Sequence, residues 1–142
     1  MSNIIDYVSW RGDLDFTASP FNEVDSLILT QLVYLDFRGI VPGIHSRSSV
    51  TLEKAAEEYF AGHRNQTEES GGQLLKDCRM VLKAVMGTER FKNCRLSRYI
   101  EDISEEKEYQ FSAVKIVPED GSIYISFSGT DSSLAGWKEN FN

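Results

Sequence analysis

Residues 121–142 contain the sharpest change of pattern in the chain and read GSIYISFSGTDSSLAGWKENFN. Residues 122–127 alternate polar and apolar side chains and are rich in β-formers, so they predict a strand. The small polar run 128–133 predicts a turn, because its side chains hydrogen-bond backbone and Gly129 tolerates conformations that other residues avoid. Residues 134–141 predict the start of a short helix. Backbone N–H groups collect at such a junction, which can hold a phosphate, a carboxylate or an oxyanion.

The composition is that of a folded, acidic protein of 142 residues, enough for one domain or part of one. Its residues are 41% hydrophobic and 11% aromatic, which is sufficient for a packed core. The net charge of −7 opposes binding to nucleic acid and to anionic membranes. No stretch approaches the ~20 apolar residues of a transmembrane segment, and the N-terminus does not resemble a signal peptide. These features predict a cytoplasmic protein.

Helical periodicity dominates the first two thirds of the chain. The predicted helices are residues 1–10, 22–35 with Asn22 as N-cap, 52–62 with Thr51 as N-cap, and 73–86 with Gly87 as C-cap. Leu27 is predicted on the apolar face of the second of these helices, which is expected to be mostly buried. Leu74 is predicted on the apolar face of the last one.

The hydrophobic period changes from about 3.6 to 2 after residue 93. Residues 96–103, 109–117 and 122–127 predict strands, the first with simple alternation. Residues 118–121 predict a hairpin loop in which Gly121 takes a positive φ. The sequence therefore predicts one partial domain over 1–142, mainly helical in 1–93 and mainly β in 94–142, with helices first and an antiparallel β-meander after them.

The run Phe127-Ser128-Gly129-Thr130-Asp131, followed by Trp137, resembles the oxyanion-strand motif of class 3 lipases. The N-terminal segments IDYVSW (5–10), PFNEVD (20–25) and QLVYLDF (31–37) make the chain more similar to an uncharacterised bacterial family of lipase-like α/β-hydrolases. This resemblance covers both ends of the chain. It implies an α/β-hydrolase fold in which the meander leads into the strand that carries the oxyanion loop.

The resemblance also implies roles for single residues. Thr130 would be the oxyanion donor through its backbone N–H, to which the hydroxyl is often added in the family, and Gly129 would form the tight turn. Trp137 would lie in a lid-like segment beside the substrate pocket, and the substrate would be an acyl ester or a lipid. Asp131 is expected to support the loop by accepting backbone hydrogen bonds rather than to act as a catalytic carboxylate. Ser128 stands where an Arg is common in the family, so the ion pair of that Arg is missing.

Simpler interpretations of the same residues exist. By spacing alone, Thr130 is better explained as a polar turn residue that caps the following segment. Trp137 is equally well explained by ordinary core or interface packing. The functional roles of both residues therefore depend on the resemblance.

A serine hydrolase of this type needs a G-x-S-x-G elbow, followed by an acid and a His. The sequence contains no G-x-S-x-G. The chain is therefore expected to be the N-terminal part of a longer hydrolase, inactive alone, with the nucleophile, the acid and the His beyond Asn142. Its expected partner is the missing C-terminal part. The alternative is a non-enzymatic α+β interaction module that pairs with itself or a partner through an exposed sheet edge.

Other reactive residues suggest no further chemistry. Cys78 and Cys94 are expected to be reduced structural residues, because two widely spaced thiols form neither a metal motif nor a disulfide framework. His45 lies beside serines, but neighbours on a loop rarely hold the geometry of a nucleophile–base pair. His63 is expected at a helix end. The glutamates form adjacent pairs that diverge on a helix, so no metal and no cofactor are expected.

Overall fold

The structure is a computed structural model that describes residues 2–62, 72–104 and 109–128. Its elements are α1 (Ser2–Arg11), α2 (Glu23–Leu32), β1 (Val50–Thr51), α3 (Leu52–Gly62), α4 (Gly72–Val85), β2 (Arg95–Ser104), β3 (Tyr109–Val117) and β4 (Tyr124–Ser128). The strands form an antiparallel sheet in the order β1-β2-β3-β4. The prediction of helices followed by an antiparallel meander is confirmed. The two-residue strand β1 is too short to leave a periodic signal and was not predicted.

The N-termini of α2 and α3 form as predicted. The side-chain oxygen of Asn22 accepts hydrogen bonds from the backbone N–H groups of Val24 and Asp25, at 2.8 and 3.2 Å. The Asp25 carboxylate accepts in return from the Asn22 N–H at 2.9 Å, which completes a capping box. Thr51 Oγ1 accepts from the Lys54 N–H at 3.2 Å and caps α3 in the same way. Both helix starts are therefore set by local sequence.

The C-cap prediction for Gly87 is wrong. Among the described residues, the glycines with positive φ are Gly39, Gly72 and Gly121. At the end of α4, the Val85 carbonyl instead accepts from the Thr88 N–H at 3.1 Å and from Thr88 Oγ1 at 2.8 Å. Because Thr88 supplies the donors, no left-handed glycine is needed there.

The apolar faces predicted for α2 and α4 include residues that the fold leaves exposed. Leu27 and Leu74 are both exposed, although each was placed on an apolar face. The second helix also ends at Leu32 rather than near residue 35, since Val33 already forms its C-cap. Helical spacing predicts which residues share an arc, but neighbouring elements decide how much of that arc is covered.

One hydrophobic cluster joins the helical layer to the sheet. Its fully buried residues include Ile28 of α2, Leu82 of α4 and Ile116 of β3. Phe91, in the segment between α4 and β2, is fully buried there as well. Cys78 and Cys94 are buried and free, as predicted.

Strand β2 contains a bulge that the sequence pattern did not predict. Its pairing with β3 shifts register between Ser97 and Ile100, and Arg98 has a φ of 55°. The Tyr99 N–H leaves the ladder and donates to the Pro42 carbonyl at 2.9 Å. The bulge thus attaches the segment before β1 to the sheet. The turn of the β3–β4 hairpin is as predicted, with Gly121 at a φ of 84° and its N–H donating to the Pro118 carbonyl at 3.0 Å. Strand β4 begins at Tyr124 rather than at residue 122 and ends at Ser128.

Candidate functional site

The proposed oxyanion motif begins within strand β4 and continues beyond the described residues. Gly129, Thr130, Asp131 and Trp137 lie outside the described residues, so their predicted roles stay predictions. The described part of the motif is Phe127 and Ser128, the last two residues of β4. The structure therefore describes the strand that leads into the motif and the contacts of that strand.

One face of β4 is fixed against the helical layer. Ser126 Oγ donates to the Leu29 carbonyl of α2 at 2.9 Å, in a buried hydrogen bond. The Tyr124 ring stacks on Phe21 with 4.0 Å between ring centroids and 19° between planes. Residues two apart on a strand share a face, so Ser128 lies on this side as well. Strand β4, which leads into the proposed motif, is therefore held in place against the helical layer.

The other face of β4 carries a row of exposed apolar side chains. Ile123, Ile125 and Phe127 are 62%, 40% and 42% exposed. In the described part of the chain, β4 is the last strand of the sheet and pairs with β3 alone. An apolar row on an edge strand marks a surface suited to contact with another polypeptide. We refer to these three residues as the β4 row.

A buried ion pair lies next to the loop between α1 and α2. Arg90 and Asp25 are joined by two hydrogen bonds, Nη2–Oδ2 at 2.6 Å and Nε–Oδ1 at 2.9 Å, and both side chains are fully buried. Burial by itself lowers the pKa of Arg90, but the hydrogen bonds and charge of Asp25 outweigh it and raise that pKa. The guanidinium therefore stays charged. This pair was not predicted, because no local sequence signal connects residues 65 positions apart.

Arg90 also holds the loop between α1 and α2. It donates to the carbonyl oxygens of Leu14, Ser19 and Pro20 at 3.1, 2.8 and 3.2 Å. Pro20 precedes Phe21, the residue on which Tyr124 of β4 is stacked. The buried pair thus positions Phe21, and through it the strand that leads to the motif.

A cleft of about 710 Å³ lies at the β2 edge of the sheet. Its lining includes Arg38, Ile44, His45, Tyr99 and Glu101. Among the described residues, no hydrogen bond joins His45 to a serine, and Ser46, Ser48 and Ser49 do not form a nucleophile–base pair with it. The predicted helix-end residue His63 lies outside the described residues.

The described residues offer few other reactive groups. Burial raises the pKa of Cys78 to about 11 and that of Cys94 to about 12, so neither is a thiolate near neutral pH. No group of three or more His, Cys, Asp or Glu side chains in these ranges could hold a metal ion. No described helix is long and apolar enough to cross a membrane.

The protein is thus a mixed α/β protein whose helices cover one face of an antiparallel sheet. A family model described as Mbeg1-like matches residues 85–142, a span that begins at the end of α4 and includes Arg90, strands β2 to β4 and the motif residues. No curated protein and no solved structure matches the chain.

Proposed function

We propose that these residues form the N-terminal, oxyanion-contributing part of a lipase-like serine hydrolase with an α/β-hydrolase fold. The backbone N–H of Thr130 donates to the oxyanion, Gly129 forms the turn, Asp131 supports the loop and Trp137 borders the substrate pocket. The Ser, the acid and the His come from polypeptide other than these 142 residues. The substrate is an acyl ester, either a small molecule or a lipid.

The position of β4 is the observation that supports this proposal. The strand ends at Ser128, immediately before Gly129 and Thr130, and is fixed to α2 by Ser126 and to Phe21 by Tyr124. An oxyanion donor is effective when it is preorganised, because no energy is then lost in reorienting it during the reaction. A strand fixed on its helix-facing side supports such preorganisation of the residues that follow it.

The open side of β4 is compatible with a larger sheet. A further strand could pair with the edge of β4 that has no partner in the described ranges, and the exposed β4 row would then be covered. The catalytic Ser of a hydrolase sits at a strand-to-helix turn of the same sheet as the oxyanion loop.

The test compares two polypeptides by intact mass and by fluorophosphonate labelling. The protein isolated from its source should be heavier than 16.1 kDa and should be labelled on a serine outside these residues. The 142-residue polypeptide should hydrolyse no p-nitrophenyl butyrate. Turnover by the 142-residue polypeptide, or a heavier native protein that resists the label, would contradict the proposal.

A substitution then tests Thr130 in the active native protein. Thr130→Val removes the hydroxyl and keeps the shape of the side chain. If that hydroxyl assists the backbone donor, kcat falls by about 100-fold, as for the loss of one oxyanion-hole donor. Ser133→Ala, in the same segment, is the control and should leave kcat unchanged.

The β4 row supports a second candidate, a non-enzymatic module that pairs with a second copy through the β4 edge. Here the native protein would have a mass of 16.1 kDa and would not react with fluorophosphonate. Sedimentation should detect a dimer, and Ile125→Lys should abolish it by placing a charge in the contact. A monomer at every accessible concentration would rule this candidate out.

A further inference from the structure

One edge of β2 is paired over only part of its length. Strand β1 covers Arg95 and Leu96, and a single parallel bridge joins Tyr99 to Gly43. Among the described residues, no strand pairs with residues 100–104 on that side. This stretch is the part of the edge that a further strand could reach.

The backbone groups that point outward along this stretch follow from the hydrogen bonds already made. At the bulge, the Tyr99 N–H points away from β3 and donates to the Pro42 carbonyl at 2.9 Å. From residue 100 onward the pairing with β3 is regular. Because successive residues of a strand direct their N–H and C=O groups to opposite edges, those of Glu101 and Ile103 point outward. Those of Asp102 point to β3.

The cleft at the β2 edge lies beside these outward groups. After the bridge, the chain turns away from β2, with the Ser46 N–H donating to the Gly43 carbonyl at 3.1 Å. This leaves a space of about 710 Å³ between residues 38–46 and residues 99–101. Ligand pockets have volumes of roughly 300–1,000 Å³, so the space can take several residues of an extended chain. Residues 38–46 bound the space on the side away from β2. They favour a single chain with two free edges over a strand that already belongs to a sheet.

The two faces of the sheet differ at this edge. On one face, Ile44 and Ile100 pack on a small apolar cluster of β3. On the helix-covered face, Glu101 accepts a hydrogen bond from the Tyr99 hydroxyl at 3.0 Å and is ion-paired with Arg38 at 3.7 Å. A strand places successive side chains on opposite faces. An added strand would therefore meet apolar and polar surface at alternate positions.

We propose that this edge of β2 binds an extended peptide segment of another protein as an added strand. The outward N–H and C=O groups of Glu101 and Ile103 pair with the backbone of the peptide. Its apolar side chains, at alternate positions, lie against Ile44 and Ile100, and the side chains between them are polar. In strand addition, main-chain hydrogen bonds provide affinity and alternate side chains provide specificity. The site does not depend on the hydrolase function proposed above.

The probes are two capped heptapeptides of the same composition. KVTVTVK alternates apolar and polar residues, whereas KVVVTTK does not. Each is titrated into the ¹⁵N-labelled 142-residue polypeptide, with the amide shifts of residues 99–104 as the readout. KVTVTVK should bind about tenfold more tightly, the effect of one aliphatic contact. Equal affinities of the two peptides would overturn the proposed alternation.

Amide hydrogen exchange identifies the edge that is used. Bound KVTVTVK should slow exchange at Glu101 and Ile103 by about tenfold, because each N–H gains an acceptor, and should leave Asp102 unchanged. Slower exchange at Ile125 and Phe127 instead would place the peptide on β4. Slower exchange at Glu101 and Ile103 that grows with protein concentration, without peptide, would assign the edge to a second copy. Either result would overturn the proposal.

N-methylation of the peptide tests the backbone pairing and leaves the protein unchanged. The N–H groups of alternate residues in an extended chain point to opposite edges. One form of KVTVTVK carries N-methyl groups on both threonines, and the other carries them on two of the valines. Binding should be lost for one form and kept for the other. Equal binding by the two forms, whether kept or lost, would contradict strand addition.

Two matched substitutions test the apolar contact. Ile44→Ser should weaken binding of KVTVTVK about tenfold. It should leave the loop in place, because the Ile44 carbonyl rather than its side chain accepts the hydrogen bond from Arg98. Ile123→Ser makes the same change in the β4 row and should have no effect. Equal effects of the two substitutions would count against the β2 edge. Circular dichroism checks folding, and the methylated peptides decide the question even if Ile44→Ser does not fold.

Discussion

Arg90 connects several parts of this protein that are distant in the sequence. It pairs with Asp25, caps carbonyl groups of the loop between α1 and α2, and lies 4.3 Å from the centroid of the Phe16 ring. A buried pair of this kind gives little net stabilisation over an apolar replacement of both partners. Removing one partner is different, because it leaves the other charge buried without compensation.

Arg90→Met should therefore lower the free energy of unfolding by about 3–5 kcal/mol. The loss has two sources, the stranded Asp25 carboxylate and the loop carbonyls that lose their donor. Urea denaturation measures it. Arg38→Met, which breaks an exposed pair with Asp36, is the matched control and should cost less than about 1 kcal/mol. Equal losses in the two variants would show that burial of the Arg90 pair has no energetic consequence.

The two buried thiols should make stability depend on alkaline pH. Their pKa values are raised by burial from 9.0 to about 11 for Cys78 and about 12 for Cys94. Between pH 9 and those values the folded state holds protons that the unfolded chain has released. The contribution to stability is therefore complete below pH 9 and is lost as pH rises, by at most about 1.4 kcal/mol per pH unit for each thiol.

Urea denaturation at pH 8 and pH 10 checks this prediction. Cys94→Ala removes one of the two groups, so its stability should fall less between the two pH values than that of the wild type. Tyrosines titrate in the same range, and they cancel in this comparison because both proteins retain them. An identical fall in both proteins would show that the Cys94 thiol is not shifted in the folded state.

Strand β4 is held by contacts with a distant part of the chain, Phe21 and Leu29. Phe21→Ala removes the ring on which Tyr124 is stacked, so β4 keeps its pairing with β3 and the Ser126 hydrogen bond but loses an aromatic contact with the helical layer. Amide hydrogen exchange should accelerate in β4 more than in β2, because local opening follows the loss of local contacts. Phe60→Ala is the matched control, since Phe60 is also partly buried but packs on Tyr59 of α3. A uniform acceleration in both variants would indicate global destabilisation instead.

The elements that the sequence predicted well are those with local causes. The capping box at Asn22 and the hairpin at Gly121 depend on residues within four positions of each other. The β2 bulge was not predicted, because the conformation of Arg98 is fixed by the carbonyl of Ile44, 54 residues earlier. For the same reason, the sequence predicts a strand with simple alternation at Arg98, Ile100 and Asp102.

The candidate sites also differ in whether their residues are close together in the sequence. The motif at Gly129 and Thr130 was found from consecutive residues, and its roles stay predictions because those residues lie outside the described ranges. The cleft around Glu101 was not found, since its two walls are separated by more than fifty residues. His45 was considered only with its sequence neighbours, whereas the fold places it in the lining with Tyr99 and Glu101.

At the scale of the whole molecule, one hydrophobic cluster serves both the helices and the sheet. The described structure should therefore unfold in a single cooperative step. The two cysteines report on the two layers, because Cys78 lies on α4 and Cys94 immediately precedes β2. Pulsed thiol labelling along a urea gradient, resolved by peptide mass spectrometry, should give one midpoint for both. Two separate midpoints would mean that the helical layer and the sheet are independent units.

The two edges of the sheet differ in how much of each is already paired. At one end, β1 covers only Arg95 and Leu96 of β2, and the Gly43–Tyr99 bridge adds one residue. Residues 100–104 of β2 therefore have no partner on that side among the described residues. At the other end, β4 pairs with β3 alone in the described ranges. Two copies joined through β4 would each use the same edge, so this contact would close as a pair. A contact between β4 of one copy and the uncovered part of β2 in the next would instead be open-ended, which is the geometry of a fibre.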